Sequence, residues 1–152
     1  MGLPKRKPMS SRECFVDSVC WIALLNFDDE LHEVADSEYK QMLDNGYRLV
    51  TSSAVLNEVA NSLCKLEYRR SVVDLNNRLQ KSRSVEIVFV TEDWWRAAWK
   101  LFEEREDKEW SLTDCISITI MKKRDLADVL TNDKHFVQAG FNAVFRISQT
   151  KQ

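Results

Sequence analysis

Short apolar runs alternate along this chain with longer segments that have helical periodicity. The run CFV ends at Asp17 and is followed by VCWIALLNF, whose apolar residues fit a buried helix. Residues 49–51 repeat this plan: an apolar strand pattern precedes Ser52 and Ser53, either of which is suited to cap the helical pattern that follows. The first half of the chain therefore predicts a strand and a helix twice over.

The second half of the chain continues the alternation. A further helix is predicted through Val72, Val73 and Leu79. VEIVFV is the clearest strand, and Thr91 is placed to cap the amphipathic segment EDWWRAAWKLFEERED after it. ADVLT and AVFRIS are predicted as short strands on either side of the turn-prone QAGFN. Strands that alternate with helices in this way favour an α/β fold with a mainly parallel sheet.

The segment CISITIMK fits two structures. Ile116, Ile118 and Ile120 alternate with polar residues, which is the period of a strand. Ser111 and Asp114, however, resemble a capping box with Asp in place of Glu, and the apolar residues also share a helical face. We favour the helix, because a strand here would form a hairpin with the next strand and break the alternation.

The chain has 152 residues, a length that fits one domain. We expect residues 1–12 to be a flexible tail and residues 13–148 to form the domain, because MGLPKRKPMSSRE lacks the apolar core of a signal peptide. The longest apolar stretch, Val19 to Leu25, is far shorter than the roughly 20 residues of a membrane-spanning helix, so no membrane segment is expected.

Cysteine spacing and net charge narrow the possible functions. The 4 cysteines fall at no metal-binding spacing and have apolar neighbours, so we expect reduced core residues in a cytoplasmic protein. These residues are Cys14, Cys20, Cys64 and Cys115. The formal net charge is −2, so any binding to nucleic acid would depend on a local basic patch.

Four acidic residues are predicted at strand ends or near helix starts: Asp17, Glu58, Asp114 and Asp133. In open α/β sheets the carboxyl ends of the strands form the edge where ligands bind, so we expect these acids along one rim. Two like charges 4 Å apart repel by about 4 kcal/mol at an effective dielectric constant of about 20. A divalent cation such as Mg²⁺ or Mn²⁺ would offset this repulsion and would suit phosphodiester hydrolysis. Acids are also favoured at helix starts and turns for purely structural reasons, and this alternative stays open.

Four sequence blocks resemble those of PIN-domain ribonucleases, especially the VapC-type toxins of toxin–antitoxin pairs. The blocks are FVDSVCWIALL, VTSSAVLNEVANSL, SLTDCISITIMKKR and VLTNDKHFVQAGF, and the resemblance runs from about residue 14 to about residue 147. The resemblance implies a three-layer α/β/α sandwich around a mainly parallel sheet of about five strands. It also implies an Mg²⁺- or Mn²⁺-dependent ribonuclease that forms a homodimer and is inhibited by a small antitoxin.

Carried over by position, the resemblance assigns the metal-binding and catalytic roles to the acids already named. These residues are Asp17, Glu58, Asp114 and Asp133, with Thr131 as a supporting hydroxyl. Other nucleases for RNA processing share these features, so a housekeeping role is one alternative. A phosphatase or receiver domain, and a non-catalytic acidic module, are two more.

Basic and aromatic residues provide further candidates. Lys134, Arg69 and Arg70 are possible RNA contacts, although a basic helix face is more often simply solvated. The two histidines, His32 and His135, are interpreted as surface residues or residues with structural partners. An aromatic-rich region is interpreted as core, with part of it a candidate dimer face or antitoxin groove. Its members are Trp94, Trp95, Trp99, Phe102 and Trp110.

Overall fold

Five parallel strands form a single sheet in the computed structural model of the protein, which describes residues 12–146. The strands are β1 (Glu13–Val16), β2 (Arg48–Ser52), β3 (Val85–Val88), β4 (Asp128–Leu130) and β5 (Asn142–Ala143). Their order in the sheet is β3-β2-β1-β4-β5, so β1 lies at the centre between β2 and β4. The predicted α/β/α sandwich with a parallel sheet of about five strands is confirmed.

Helices connect the strands and pack on the sheet. They are α1 (Ser18–Leu25), α2 (His32–Asp44), α3 (Ser53–Ser62), α4 (Leu66–Lys81), α5 (Glu92–Glu104), α6 (Leu112–Lys123) and α7 (Lys134–Gln138). The sequence pattern did not predict α2, a mostly polar helix with Ala35 as its one fully buried residue, or the short α7. Within residues 12–146, none of the helices combines the length and the apolar character that crossing a membrane requires.

Helix α6 forms where the sequence allowed either a strand or a helix. The Ser111 hydroxyl accepts a hydrogen bond from the Asp114 N–H at 3.0 Å, and Asp114 Oδ2 accepts one from the Ser111 N–H at 3.0 Å. The alternating residues Ile116, Ile118 and Ile120 are all buried. The strand-like alternation arose because this helix is enclosed on several sides and carries apolar residues around its circumference.

The predicted strand AVFRIS is wrong over most of its described length. Only Asn142 and Ala143 belong to β5, and residues 144–146 form a helical turn. The Phe145 N–H bonds back to the carbonyl of Thr131 at 3.1 Å, which draws the backbone away from the sheet. The last two residues of the predicted strand, and residues 1–11 of the expected tail, lie outside the described residues.

The VEIVFV strand is also shorter than predicted, because it ends at Val88. The Val90 N–H then donates to the Ser53 hydroxyl at 2.9 Å, which turns the chain toward the start of α3. The predicted Thr91 cap is confirmed, since its hydroxyl accepts the Trp94 N–H.

The cysteines are all free thiols, as expected. Cys14, Cys20 and Cys115 are buried, and burial raises the pKa of each of these thiols. The core assignment of Cys64 is wrong, because this residue is exposed in the turn between α3 and α4. The Cys64 carbonyl accepts hydrogen bonds from the Arg69 guanidinium, and these bonds help to hold the turn that joins the two helices.

A partly buried arginine network joins elements at the amino-terminal edge of the sheet. Arg124, at the end of α6, donates to Glu13 Oε2 on β1 at 2.6 Å and also to Glu86 on β3. The guanidinium therefore joins α6 to two strands that have β2 between them. The hydrogen bonds from Arg124 lower the pKa of Glu86. We expect this network to set the position of α6, and with it the position of Asp114 at the other end of the helix.

We expect Arg124→Met to lower the free energy of unfolding by about 2 kcal/mol near neutral pH, because two partly buried carboxylates lose their charged donor. The Glu86 contribution exists above the ordinary pKa of glutamate and is lost as the pH falls through the lowered value. Urea denaturation of parent and variant at several pH values measures the difference, which should shrink in acid. Lys40→Met, in an exposed pair with Asp36, is the control and should change stability by less than about 0.5 kcal/mol.

Candidate active site

The four predicted acids lie on elements that meet at the carboxyl-terminal edge of the sheet. Asp17 directly follows β1 and is the N-cap of α1, and Asp133 follows β4 as the N-cap of α7. Glu58 lies in α3, which directly follows β2, and Asp114 lies in the first turn of α6. The strands β2, β1 and β4 are neighbours in the sheet. The segments that follow them, which carry Glu58, Asp17 and Asp133, therefore leave the sheet side by side.

Thr131 joins two of these acids. Its buried hydroxyl donates a hydrogen bond to Asp17 Oδ2 at 2.9 Å and accepts one from the Asp133 N–H at 3.2 Å. A single side chain therefore fixes the carboxylate at the end of β1 relative to the chain after β4.

Asp114, Asp133 and His135 form the closest group of potential metal ligands. One donor atom from each lies within 4.8 Å of the others. His135 Nδ1 is 3.0 Å from Asp114 Oδ2 and 3.4 Å from Asp133 Oδ1. The Asp133 carboxylate also accepts the His135 backbone N–H at 2.9 Å, which holds the histidine at the start of α7. Asp17 and Glu58 are not members of this closest group.

Glu58 is connected to the centre through Ser18. The buried Ser18 hydroxyl donates a hydrogen bond to Glu58 Oε1, and Ser18 directly follows Asp17 in the chain. The charges of Glu58 and Asp114 both raise the pKa of Asp17, so the two carboxylates act on Asp17 through space. The structure thus brings Asp17, Glu58 and Asp114 into one electrostatic neighbourhood, and Asp133 adjoins it through Thr131 and His135.

Asp17 is the acid most strongly affected by its surroundings. Burial raises its pKa to about 7, against the opposing effects of the hydrogen bonds from the Thr131 hydroxyl and the Ser18 N–H. The neighbouring carboxylates Asp114 and Glu58 raise the pKa further. In the described part of the chain, no lysine or arginine contributes to this shift. A cation that enters the pocket would therefore stabilise the ionised form of Asp17 and lower its pKa.

Sequence reasoning missed Ser18 and His135 as members of this neighbourhood. His135 does have structural partners, as interpreted, but those partners are the candidate acids themselves. The available signal was its position two residues after an N-cap aspartate, where the first turn of a helix brings the ring back toward the cap. For Ser18 the only signal was adjacency to Asp17, because its partner Glu58 is forty residues away.

The predicted RNA contacts have different surroundings. Lys134 is exposed beside Asp133 at the start of α7. Arg69 donates to the Cys64 carbonyl, and Arg70 lies 3.4 Å from Asp74 on the same helix. A further cation is placed near the acids: Arg146 donates to the carbonyl of Asn132, the residue before Asp133.

Comparisons with known proteins agree with this architecture. A family model described as PIN domain matches residues 14–142. The chain is 30% identical over 130 residues to the 23S rRNA-specific endonuclease VapC20 of Mycobacterium tuberculosis, covering 84% of this chain and 94% of the relative.

Solved structures show the same likeness. The crystal structure of Mycobacterium tuberculosis VapC20, described as a Sarcin-Ricin loop cleaving toxin, matches with a TM-score of 0.75 and 28% identity, covering 86% of this chain and 98% of that one. VapBC2 from Rickettsia felis, bound to a DNA fragment from their promoter, matches with a TM-score of 0.61 and 14% identity, covering 84% and 92%. The second likeness shows a shared fold.

The raised pKa of Asp17 makes a prediction for stability in the absence of divalent ions. Because the folded-state pKa exceeds the ordinary value, ionisation favours the unfolded chain, and the free energy of unfolding falls as the pH rises from about 4 to about 7. We expect Asp17→Asn to remove this loss and to be more stable than the parent at about pH 8, by up to about 4 kcal/mol. Urea denaturation in chelator measures the effect.

Asp28→Asn is the matched control, because Asp28 is exposed. This variant should follow the parent across the whole pH range. Equal behaviour of the two variants would contradict the assignment of the effect to Asp17.

Proposed function

Because this chain belongs to the PIN-domain family, we propose that it is a metal-dependent endoribonuclease that hydrolyses RNA phosphodiesters and serves as the toxin of a toxin–antitoxin pair. The observation that carries the proposal is the gathering of Asp17, Glu58, Asp114 and Asp133 at one edge of the sheet. These acids are far apart in sequence but interact in the fold through Ser18, Thr131 and His135.

The donor set fits a hard divalent cation. Carboxylate oxygens are the ligands that Mg²⁺ and Mn²⁺ prefer, and a bound cation would stabilise the ionised form of the buried Asp17, whose pKa is raised. When bound, such an ion supplies Lewis acidity and neutralises charge on the scissile phosphate. We assign Asp17, Asp114 and Glu58 to hold the ion and to position the attacking water. Asp133, at the edge, would complete the site or help to place a second ion when the substrate is present.

Supporting residues fix these acids before the substrate binds. The Thr131 hydroxyl orients Asp17, and the Ser18 hydroxyl orients Glu58. The capping box holds Asp114 at the start of α6 by its Oδ2 atom. Pre-positioned groups of this kind lower the reorganisation needed to reach a transition state.

For the substrate we propose a structured ribosomal RNA. The relative VapC20 is described as specific for 23S rRNA and as cleaving the sarcin–ricin loop, which makes that loop the first RNA to test. Lys134 is exposed beside Asp133, and we propose that it contacts a phosphate of the RNA. Arg69 and Arg70 are proposed as more distant contacts to the RNA backbone.

The proposed partners are an antitoxin and a second copy of the chain in the cytoplasm. The side chains of Trp95, Trp99 and Phe102 form a ring-to-ring strip along α5, and each is more than two-fifths exposed. Contiguous exposed aromatic residues are characteristic of protein interfaces, so we assign this strip to the homodimer. Trp110 is buried, as expected, but the core interpretation is wrong for Trp95, Trp99 and Phe102, because all three are exposed.

Asp114→Asn tests the catalytic assignment. The asparagine oxygen can still accept the Ser111 N–H, so α6 should start normally, while the charge that holds the ion is lost. We expect cleavage of a labelled sarcin–ricin hairpin with Mg²⁺ or Mn²⁺ to fall by about 100-fold or more, the scale of removing one electrostatic contact to a transition state. Asp128→Asn, at the opposite end of β4, should cleave like the parent.

Chelator should abolish cleavage by the parent, and an unrelated hairpin should be cut more slowly. A fully active Asp114→Asn protein would contradict the proposed centre. Inactivity of the parent on every RNA, with or without metal, would favour a non-catalytic module. Cleavage of tRNA or precursor RNA in preference to the ribosomal loop would favour a housekeeping nuclease.

Trp99→Lys tests the dimer. The lysine can pair with Glu103, the present partner of the Trp99 indole, so α5 keeps a favourable contact while the apolar strip gains a charge. We expect light scattering to show the parent at twice the chain mass of 17.8 kDa and the variant at that mass. Phe27→Lys, at an exposed aromatic residue outside α5, should remain a dimer. A monomeric parent would refute this interface.

A further inference from the structure

We propose that His135 is a nitrogen ligand in the metal centre and that it makes the centre prefer Mn²⁺ to Mg²⁺. This inference rests on the proposed function, because it concerns the same ion site. It starts from the position of the imidazole: His135 Nδ1 lies 3.0 Å from Asp114 Oδ2 and 3.4 Å from Asp133 Oδ1.

These separations match the edge of an octahedral site. Ligands about 2.1 Å from a common ion and at right angles to each other are about 3.0 Å apart. Both distances from the imidazole nitrogen are close to this value, and one donor from each residue lies within 4.8 Å of the others. The three residues therefore need only small movements to share one ion.

The surrounding hydrogen bonds can be exchanged for bonds to an ion. Without a metal, His135 Nδ1–H donates to Asp114 Oδ2 at 3.0 Å, because an ionised carboxylate only accepts hydrogen bonds. Asp114 Oδ2 accepts the Ser111 N–H, but a carboxylate oxygen has a second lone pair. Asp133 Oδ1 accepts the His135 backbone N–H, which fixes the backbone that carries the imidazole. When an ion binds, it replaces the hydrogen on Nδ1; the neutral imidazole then carries its hydrogen on Nε2 and presents the Nδ1 lone pair to the ion.

A nitrogen ligand changes the choice of metal. Mg²⁺ favours oxygen ligands and retains several waters, whereas first-row transition ions accept imidazole and follow a rising order of affinity for nitrogen and sulfur donors. A centre built only from carboxylates would discriminate little between Mg²⁺ and Mn²⁺. His135 therefore raises the affinity of the centre for Mn²⁺ relative to its affinity for Mg²⁺.

The competing role for His135 is a positioning one, in which the ring only donates a hydrogen bond to Asp114. His135→Asn separates the two roles. The side-chain amide of asparagine places a nitrogen donor near the position of Nδ1, so it can keep the hydrogen bond to Asp114 but removes the imidazole lone pair. A positioning role would be rescued by this variant, and a ligand role would not.

The experiment uses the full chain loaded with Mn²⁺ and measures nitrogen coupling to the ion by pulsed electron paramagnetic resonance. The chain has 2 histidines, so the variants His135→Asn and His32→Asn account for every imidazole. His32 bonds to the Ala23 carbonyl at the start of α2 and serves as the control. We expect imidazole coupling in the parent and in His32→Asn, and its loss in His135→Asn.

Competition between Mn²⁺ and Mg²⁺ gives the second measurement. We expect the preference for Mn²⁺ to fall about 10-fold or more in His135→Asn, while the melting temperature in chelator stays near that of the parent. If His135→Asn does not fold, the parent and His32→Asn spectra still decide the question. Absence of imidazole coupling in the parent, absence of Mn²⁺ binding, or an unchanged preference in a folded His135→Asn would overturn the inference.

The outcomes separate this inference from the proposed function. A parent that cleaves RNA only with divalent metal, but shows no imidazole coupling, keeps the nuclease proposal and rejects the histidine ligand. A parent that binds Mn²⁺ through imidazole but cleaves no RNA rejects the nuclease proposal and keeps the metal site.

Discussion

The burial of the Asp17 carboxylate at the end of the central strand is the constraint on which the site depends. Hydrogen bonds from Thr131 and Ser18 only partly offset the loss of water, and two neighbouring acids add to the electrostatic penalty. A fold that keeps such a residue in its core gains nothing in stability from the ionised form alone. The arrangement makes physical sense as a receptor for positive charge.

The same acids also organise the backbone around the pocket. Asp17 and Asp133 are N-cap residues, and Asp114 forms a capping box, so three helices begin where the carboxylates gather. The positive ends of helix dipoles favour nearby negative charge, which reduces the repulsion that the acids would otherwise impose. The same side chains therefore start the helices and form the site.

The sequence was most informative where local chemistry determines structure. Strand and helix alternation, the Thr91 cap and the helical choice for α6 followed from periodicity and capping residues. Helix α2 escaped prediction because its sequence is mostly polar, and the last strand was overextended because a backbone bond to Thr131 redirects the chain.

Contacts between distant residues escaped prediction for a different reason. The link from Ser18 to Glu58, and the placement of His135 against Asp114, exist only after the strands have taken their order in the sheet. Residue types and spacing identified the acids as candidates, but they could not show which side chains orient these acids. The exposed position of Cys64 likewise depends on the turn between two helices and not on its apolar neighbours in sequence.

The spread of the site along the chain also has a consequence for biosynthesis. Asp17 emerges from the ribosome long before Asp133 and before Phe145, whose N–H bonds to the Thr131 carbonyl. Domains fold as units when enough of the chain is available, and contacts of large sequence separation form late. A nascent chain therefore cannot assemble this centre until residue 145 has left the ribosome and its backbone can reach Thr131.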